Sequence, residues 1–355
     1  MSTEQATTPA AEKPKTPLET LTARLPDITS KADYKEMWGV ELAGPDHIPT
    51  QVILQKYLRA NTNDVEAAAT QLTSSLEWRK KMNVTSLLSE TYDQSKFGDL
   101  GFVTVHKDDA GKDTVITWNI YGAVKDNQNT FGDVEQFINW RAALMELSVQ
   151  KLKLNEAKEL IPEDGDDQYQ MLQVHDYKSV SFFRMDPNVK AASRETIKTF
   201  SMAYPELLAH KYFVNVPAIM GWMYGAMKLF LAPATLRKFH PMTSGTTLAT
   251  DLTSIVSTLP AEYGGKGPSA STGETVKLGA KAPAAPAAAA AAAETSEAPA
   301  KKDEEAAPVA EAEQPKVEET KVEETKVADE PKVAETEKVE EAAVPEAAEA
   351  KTATA

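Results

Sequence analysis

The chain has no cysteine in 355 residues, so disulfides and thiolate metal sites are excluded. It also lacks a long apolar run. The nearest candidate, residues 213–231, is interrupted by Asn215, Pro217 and Lys228, short of the roughly 20 residues that span a bilayer. The opening MSTEQATTPAAEKPKTP has no apolar stretch of the kind that directs secretion. These absences lead us to expect an intracellular protein whose membrane contact is peripheral. Basic charge is scarce too. A net charge of −15 leaves no basic surface of the kind that nucleic acid needs. Catalytic signatures are missing: there is no Gly-x-Ser-x-Gly elbow, Walker loop or Gly-x-Gly-x-x-Gly turn, and NIYGAV has a single glycine. His47, His106, His210 and His240 show no metal-ligand spacing.

The chain divides by composition. Residues 1–17 read as a disordered arm, 18–91 as a helical module, 92–268 as a sheet domain and 269–355 as a disordered acidic tail. The tail carries −10 of the net charge, with an alanine tract and an imperfect repeat around Lys-Val-Glu-Glu-Thr. It has too few large apolar residues to offset the entropy cost of folding. Its simplest role is solubility, and an adaptor function through the tail is the sharper alternative.

Within the helical module, LETLTARLPDI and YKEMWGVEL read as short helices. Thr50 is placed to cap a helix through Val52, Leu54, Tyr57 and Leu58, and Asn63 or Asp64 to cap the next, through Ala68, Leu72, Leu76 and Trp78. In the sheet domain, GFVTVHKD and DTVITWNIYGAV are strands around an Asp108/Asp109/Gly111 turn. Residues 131–154 form one long amphipathic helix with Val134, Phe137, Trp140, Leu144, Leu147 and Leu152 along its stripe. MLQVHDYKSVSFF reads as a strand, and its period of two puts His175 and Tyr177 on one face, Asp176 and Lys178 on the other. A helix follows Pro187, with apolar Ile197, Phe200 and Tyr204, and stops at Pro205. Then come a strand in KYFVNVP, an almost wholly apolar helix from Met220 to Leu231, a strand near 238–242 and a helix over 248–256. Strand, helix, strand, helix implies parallel crossovers.

Several motifs together resemble the CRAL-TRIO family of phosphatidylinositol-transfer proteins. These are Leu58-Arg59-Ala60, Asp64-Val65-Glu66, Trp78-Arg79-Lys80, Tyr204-Pro205-Glu206, Asn215-Val216-Pro217, Phe230-Leu231-Ala232-Pro233 with Thr235 and Lys238, and the closing LPAEYGG, after which the folded domain should stop near Gly267. Asn61 stands where the family often has a second Arg. The resemblance implies an α/β fold with a mixed, largely parallel sheet, an apolar pocket and an N-terminal helical module. It implies a non-enzymatic protein that binds phosphatidylinositol, with Glu206, Thr235 and Lys238 at the headgroup. Trp222, Met223, Tyr224, Met227 and Phe230 would lie on a gate helix that touches the membrane. It also implies a cytoplasmic protein in peripheral contact with endoplasmic reticulum or microsomal membranes.

HDYKSVSFFRMD is similar to a fungal subgroup that binds haem b in the lipid pocket. That implies Tyr177 as the axial iron ligand, with His175, Tyr121, Arg141 and Lys211 as further haem contacts. Phenolate is a suitable haem ligand, and cations suit its propionates. A haem-dependent redox enzyme or sensor is the competing reading.

Overall fold

The computed structural model describes residues 15–163, 165–180, 186–217 and 237–280. Three helices open the chain: α1 (Pro17–Ala32), α2 (Ile48–Ala60) and α3 (Val65–Met82). The start of α1 is written locally. The Thr16 side chain accepts from Glu19 N–H while the Glu19 carboxylate accepts from Thr16 N–H, and Pro17 supplies a preset φ. Asp64 caps α3 by accepting from Ala67 N–H, as its sequence position suggests. Thr50 does not cap α2. It lies inside that helix, fully buried, and its hydroxyl accepts from Ala43 N–H.

YKEMWGVEL is a hairpin rather than a helix. Glu36–Met37 pairs antiparallel with Val40–Glu41, and Trp38 and Gly39 between them both have positive φ, 54° and 83°. Two consecutive left-handed residues make the tight turn that matches strand twist. The hairpin delivers Trp38 onto Tyr57, stacked at 5.7 Å, with its indole N–H donating to Ala203 O. Tertiary packing therefore overrides a weak helical pattern.

The sheet has five strands in the order β1 (Gly101–Lys107), β2 (Asp113–Ile120), β3 (Met171–Asp176), β4 (Leu208–Val214) and β5 (Phe239–Pro241). β1 and β2 are antiparallel; the remaining pairings are parallel. Two helices make the crossovers: α4 (Val134–Lys151) between β2 and β3, and α5 (Pro187–Ala203) between β3 and β4. The single helix expected over 131–154 is broken. Asn127–Phe131 is a short helix of its own, and Asp133 caps α4 by accepting from Gln136 N–H. The helix expected over 248–256 shrinks to one turn, Leu248–Asp251, followed by a tighter turn at Thr253–Ile255. Ile197 does not face the core: it is 57% exposed on α5, where Ala192, Thr199 and Ala203 are buried instead.

The two faces of the sheet differ in chemistry. Leu172, Val174, Tyr212 and Val214 form one apolar layer with Trp118, Leu248, Ile255, Leu259 and Tyr263. Packed structure also continues past the expected boundary at 268. Ala270 and Val276 are buried, Glu274 bridges to Val103, and Leu278–Gly279 pairs in parallel with Tyr92–Asp93. Backbone pairing ties this polar segment down, which its composition does not reveal.

The helical module is joined to the sheet domain by a buried ionic network. The Arg79 guanidinium donates to Glu36 and to Glu146, at 2.8 and 2.6 Å, and the Tyr204 hydroxyl donates to the same Glu146 at 2.7 Å. No helix among the described residues is long and apolar enough to cross a membrane.

Candidate functional site

Register builds the site. Across the sheet, Thr117, Gln173, Lys211 and Phe239 are aligned in one row, and Asn119, His175 and Phe213 in the next. Aligned residues point to the same face. That face is polar where it is deepest: Thr117 and Asn119 are fully buried, Gln173 and His175 nearly so. Helix α4 covers part of it, with Ser148 on Thr117 at 2.6 Å and the Gln173 amide against Met145. Arg141 lies one turn from Met145 on the same helix and is 1% exposed.

The five residues singled out as haem contacts converge here. Tyr121 lies 5.3 Å from His175 and 5.6 Å from Tyr177, measured between ring centroids, and His175 lies 6.4 Å from Tyr177. Phe213 closes the group at 5.6 Å from His175. Lys211 Nζ sits 5.7 Å from the ring centroids of both Phe213 and Phe239, and the Arg141 guanidinium lies 5.3 Å from Phe200. Gly122 allows the approach of Tyr121 to Tyr177. A Cβ there would meet Lys178 O at 2.1 Å, so the turn at 121–123 rests directly on the backbone after β3.

The electrostatics are unusual. Burial, with the neighbouring Arg141 charge, pushes the Lys211 ammonium down to about 7. Burial holds the His175 imidazole well below its usual range, helped by Lys211 and Arg141, so the ring is neutral at pH 7. Burial raises the Tyr177 phenol; Tyr121 adds to this and Arg141 opposes it. Among the described residues, no partner meets the buried Nε and Nη1 of Arg141 or Nε2 of His175. A buried guanidinium without a carboxylate is costly, because desolvation of a charge is offset only by a counter-charge, and Lys211 adds positive charge beside it whenever it is protonated. An anion is the partner that such a site suits.

Asp176, the middle residue of His-Asp-Tyr, faces the other way. It accepts from the Tyr263 hydroxyl at 2.8 Å and from the Asn215 amide at 2.7 Å, and Asn215 in turn accepts from Gly245 N–H. The Asn-x-Pro and LPAEYGG motifs therefore meet at Asp176 as structural pins.

The headgroup residues lie elsewhere on the sheet. Glu206 precedes β4 and Lys238 precedes β5; both are half-buried, and their charged groups pair at 3.2 Å. Thr235 and the gate residues Trp222, Met223, Tyr224, Met227 and Phe230 lie outside the described residues. No group of three or more His, Asp or Glu able to hold a metal ion occurs among the described residues. A haem iron held by one protein ligand would not produce such a group. Sequence reading missed Thr117, Asn119, Gln173, Phe213 and Phe239. The alternation in LAHKYFV was the available signal for Phe213, since it shares a face with Lys211.

One pH prediction follows. Burial lowers the pKa of His106, His175 and His210, so each favours its neutral form when folded. Their contribution to stability is complete above the unfolded value, about 6.5, and is lost as pH falls below it. The Tm should fall as the pH drops from about 6.5 to 5. His175→Gln should make that acid limb shallower in a thermal-melt series. A limb as steep as the wild type's would mean that His175 is not held neutral by burial.

Comparison with known proteins agrees with this architecture. Residues 99–265 match the model of the CRAL/TRIO domain, and residues 17–74 that of the CRAL/TRIO N-terminal domain. A phosphatidylinositol transfer protein, sfh5, of Sclerotinia sclerotiorum is 54% identical over 263 residues, which cover 74% of this chain and 64% of that protein. Its namesake in Neosartorya fischeri is 50% identical over 280 residues, covering 76% and 68%. The crystal structure of Sfh5 matches with a TM-score of 0.56 at 28% identity, covering 66% of this chain and 81% of that one. The chain spans about two thirds of the length of these two curated relatives, 64% of the first.

Proposed function

This chain belongs to the CRAL/TRIO family, and from that premise we propose that it binds and transfers phosphatidylinositol without catalysing a reaction, and that its interior also takes haem b. The observation that carries this reading is the buried Arg141 guanidinium, two of whose nitrogens have no partner among the described residues, with the half-buried Lys211 on the facing strand. They lie among aromatic rings, a lining that suits an anion with a large apolar body. Acyl chains shielded there would offset their loss from the bilayer, at about 0.8 kcal/mol per CH₂.

For the lipid, Lys238 would meet the phosphate and Glu206 the inositol hydroxyls, each group exchanging its present partner for the headgroup. For haem, the residues present fit. Tyr177 would hold the iron, Arg141 and Lys211 the propionates, and the unpartnered His175 Nε2 would find a polar neighbour. When bound, haem supplies a redox-active iron and intense visible absorption. The protein's part is to orient it, exclude water and provide the positive charge. The same reading places the protein in the cytoplasm, in peripheral contact with endoplasmic reticulum membranes.

The test is extraction of labelled phosphatidylinositol from vesicles. Lys238→Ala and Glu206→Gln should each lower extraction about tenfold, the loss of one charged hydrogen bond. Wild-type extraction by both variants would remove the headgroup assignment.

A further inference from the structure

We propose that Lys56, on helix α2 of the N-terminal module, is a positioning residue that fixes Glu206 for inositol recognition, so that this module sets selectivity among anionic headgroups. The inference rests on the reading of Glu206 and Lys238 as headgroup contacts.

Lys56 is fully buried, and all three ammonium protons are used. They go to Asp167 Oδ2 at 2.5 Å, Tyr169 O at 2.9 Å and Glu206 O at 3.0 Å. Two of the three acceptors are backbone carbonyls, so the lysine holds chain positions as well as a charge. Glu206 O accepts a second bond, from the Gln170 amide at 3.1 Å. The residue held this way needs holding. Glu206 has a φ of 55°, a left-handed conformation disfavoured by any residue with a Cβ. That backbone aims the Glu206 carboxylate at Lys238, 3.2 Å away. Without the two donors on its carbonyl, Glu206 would relax to negative φ and its carboxylate would leave Lys238.

The neighbours of Lys56 extend the same grip. Gln55 exchanges two hydrogen bonds with Ile161, both of 2.9 Å, and Arg59 donates to Pro162 O. One face of α2 thus holds the 161–169 loop and, through it, Glu206. A buried ion pair is commonly no more stabilising than an apolar pair of the same volume. Stability alone therefore does not account for a lysine here, whereas fixing the Glu206 carbonyl does.

The experiment uses the full chain and vesicles containing phosphatidylinositol or phosphatidylglycerol, lipids of equal charge that differ in the headgroup alcohol. The double variant Lys56→Met/Asp167→Leu leaves no orphaned charge. It should keep the wild-type Tm within a few degrees and still extract phosphatidylglycerol, while its preference for phosphatidylinositol falls about tenfold. Gln170→Leu should shift the preference in the same direction by less, and Lys56→Arg, which can still donate to both Asp167 and Glu206, should restore most of it. An unchanged preference in a folded double variant overturns the proposal. If that variant does not fold, an unchanged preference in Gln170→Leu overturns it. A Glu206→Gln protein that discriminates like the wild type would remove the headgroup reading itself. Loss in Glu206→Gln with none in the Lys56 or Gln170 variants would sink only the positioning role.

Discussion

Tyr177→Phe should abolish or shift the Soret band of the haem-loaded protein and lower haem affinity by at least about 100-fold, since even second-shell changes at metal sites cost 10- to 100-fold. The substitution is specific. It keeps the ring against Tyr121 and Phe213, 5.6 and 6.4 Å away, and removes only the oxygen. Burial raises the Tyr177 phenol, so on the haem proposal the metal's charge would have to stabilise the phenolate, with Arg141 assisting. Arg141→Gln and Lys211→Gln should weaken haem binding while leaving the band position nearly unchanged, because on the haem proposal they would meet the propionates and not the iron. Absorption spectra of the purified proteins, before and after addition of haem, make the comparison. A wild-type protein that stays colourless with added haem would end the haem proposal and leave lipid transfer to stand on Glu206 and Lys238.

Arg79→Met should be the most destabilising single change, at about 3–5 kcal/mol, the usual effect of stripping one partner from a buried ion pair. It would leave Glu146, 7% exposed at its side chain, without its cation, beside a Tyr204 hydroxyl that can satisfy only one of its oxygens. At 2–4 °C per kcal/mol for a domain of this size, the Tm should fall by roughly 10 °C. Arg79→Met/Glu146→Leu should recover much of the loss, since it removes both charges together. Calorimetry of the four proteins of the cycle measures the coupling. A single variant within 2 °C of wild type, on that same scale, would show that the network is not what joins the helical module to the sheet.

Local chemistry made much of the fold legible. Asp64, Asp186 and the Thr16–Glu19 box fix helix starts through their own backbone neighbours, and Pro205 ends α5 just beyond Ala203. Alternation in MLQVHDYKSV placed His175 with Tyr177 and turned Asp176 away, as the hydrogen bonds of Asp176 bear out. Where reading failed, a distant partner decided. Trp38 leaves the helix expected of YKEMWGVEL because Tyr57 and Ala203 O receive it. The segment after Gly267 looks like tail by composition, yet the backbones of Val103 and Tyr92 pair with it.

The sequence by itself determined most of the strands and helices, the motifs of the family and the residue types of the site. Caps, turns and periodicity act within a few residues, so they can be read along the chain. Tertiary structure alone decided that Thr117, Gln173, Lys211 and Phe239 share one row, that Arg141 is buried with two nitrogens unpartnered among the described residues, and that Lys56 reaches Glu206 across 150 positions. Strand register and helix docking are set by the packing of both sheet faces at once, and burial then fixes which charges lack a partner. A polar residue shows its chemistry in the sequence; whether water or protein surrounds it depends on the whole fold.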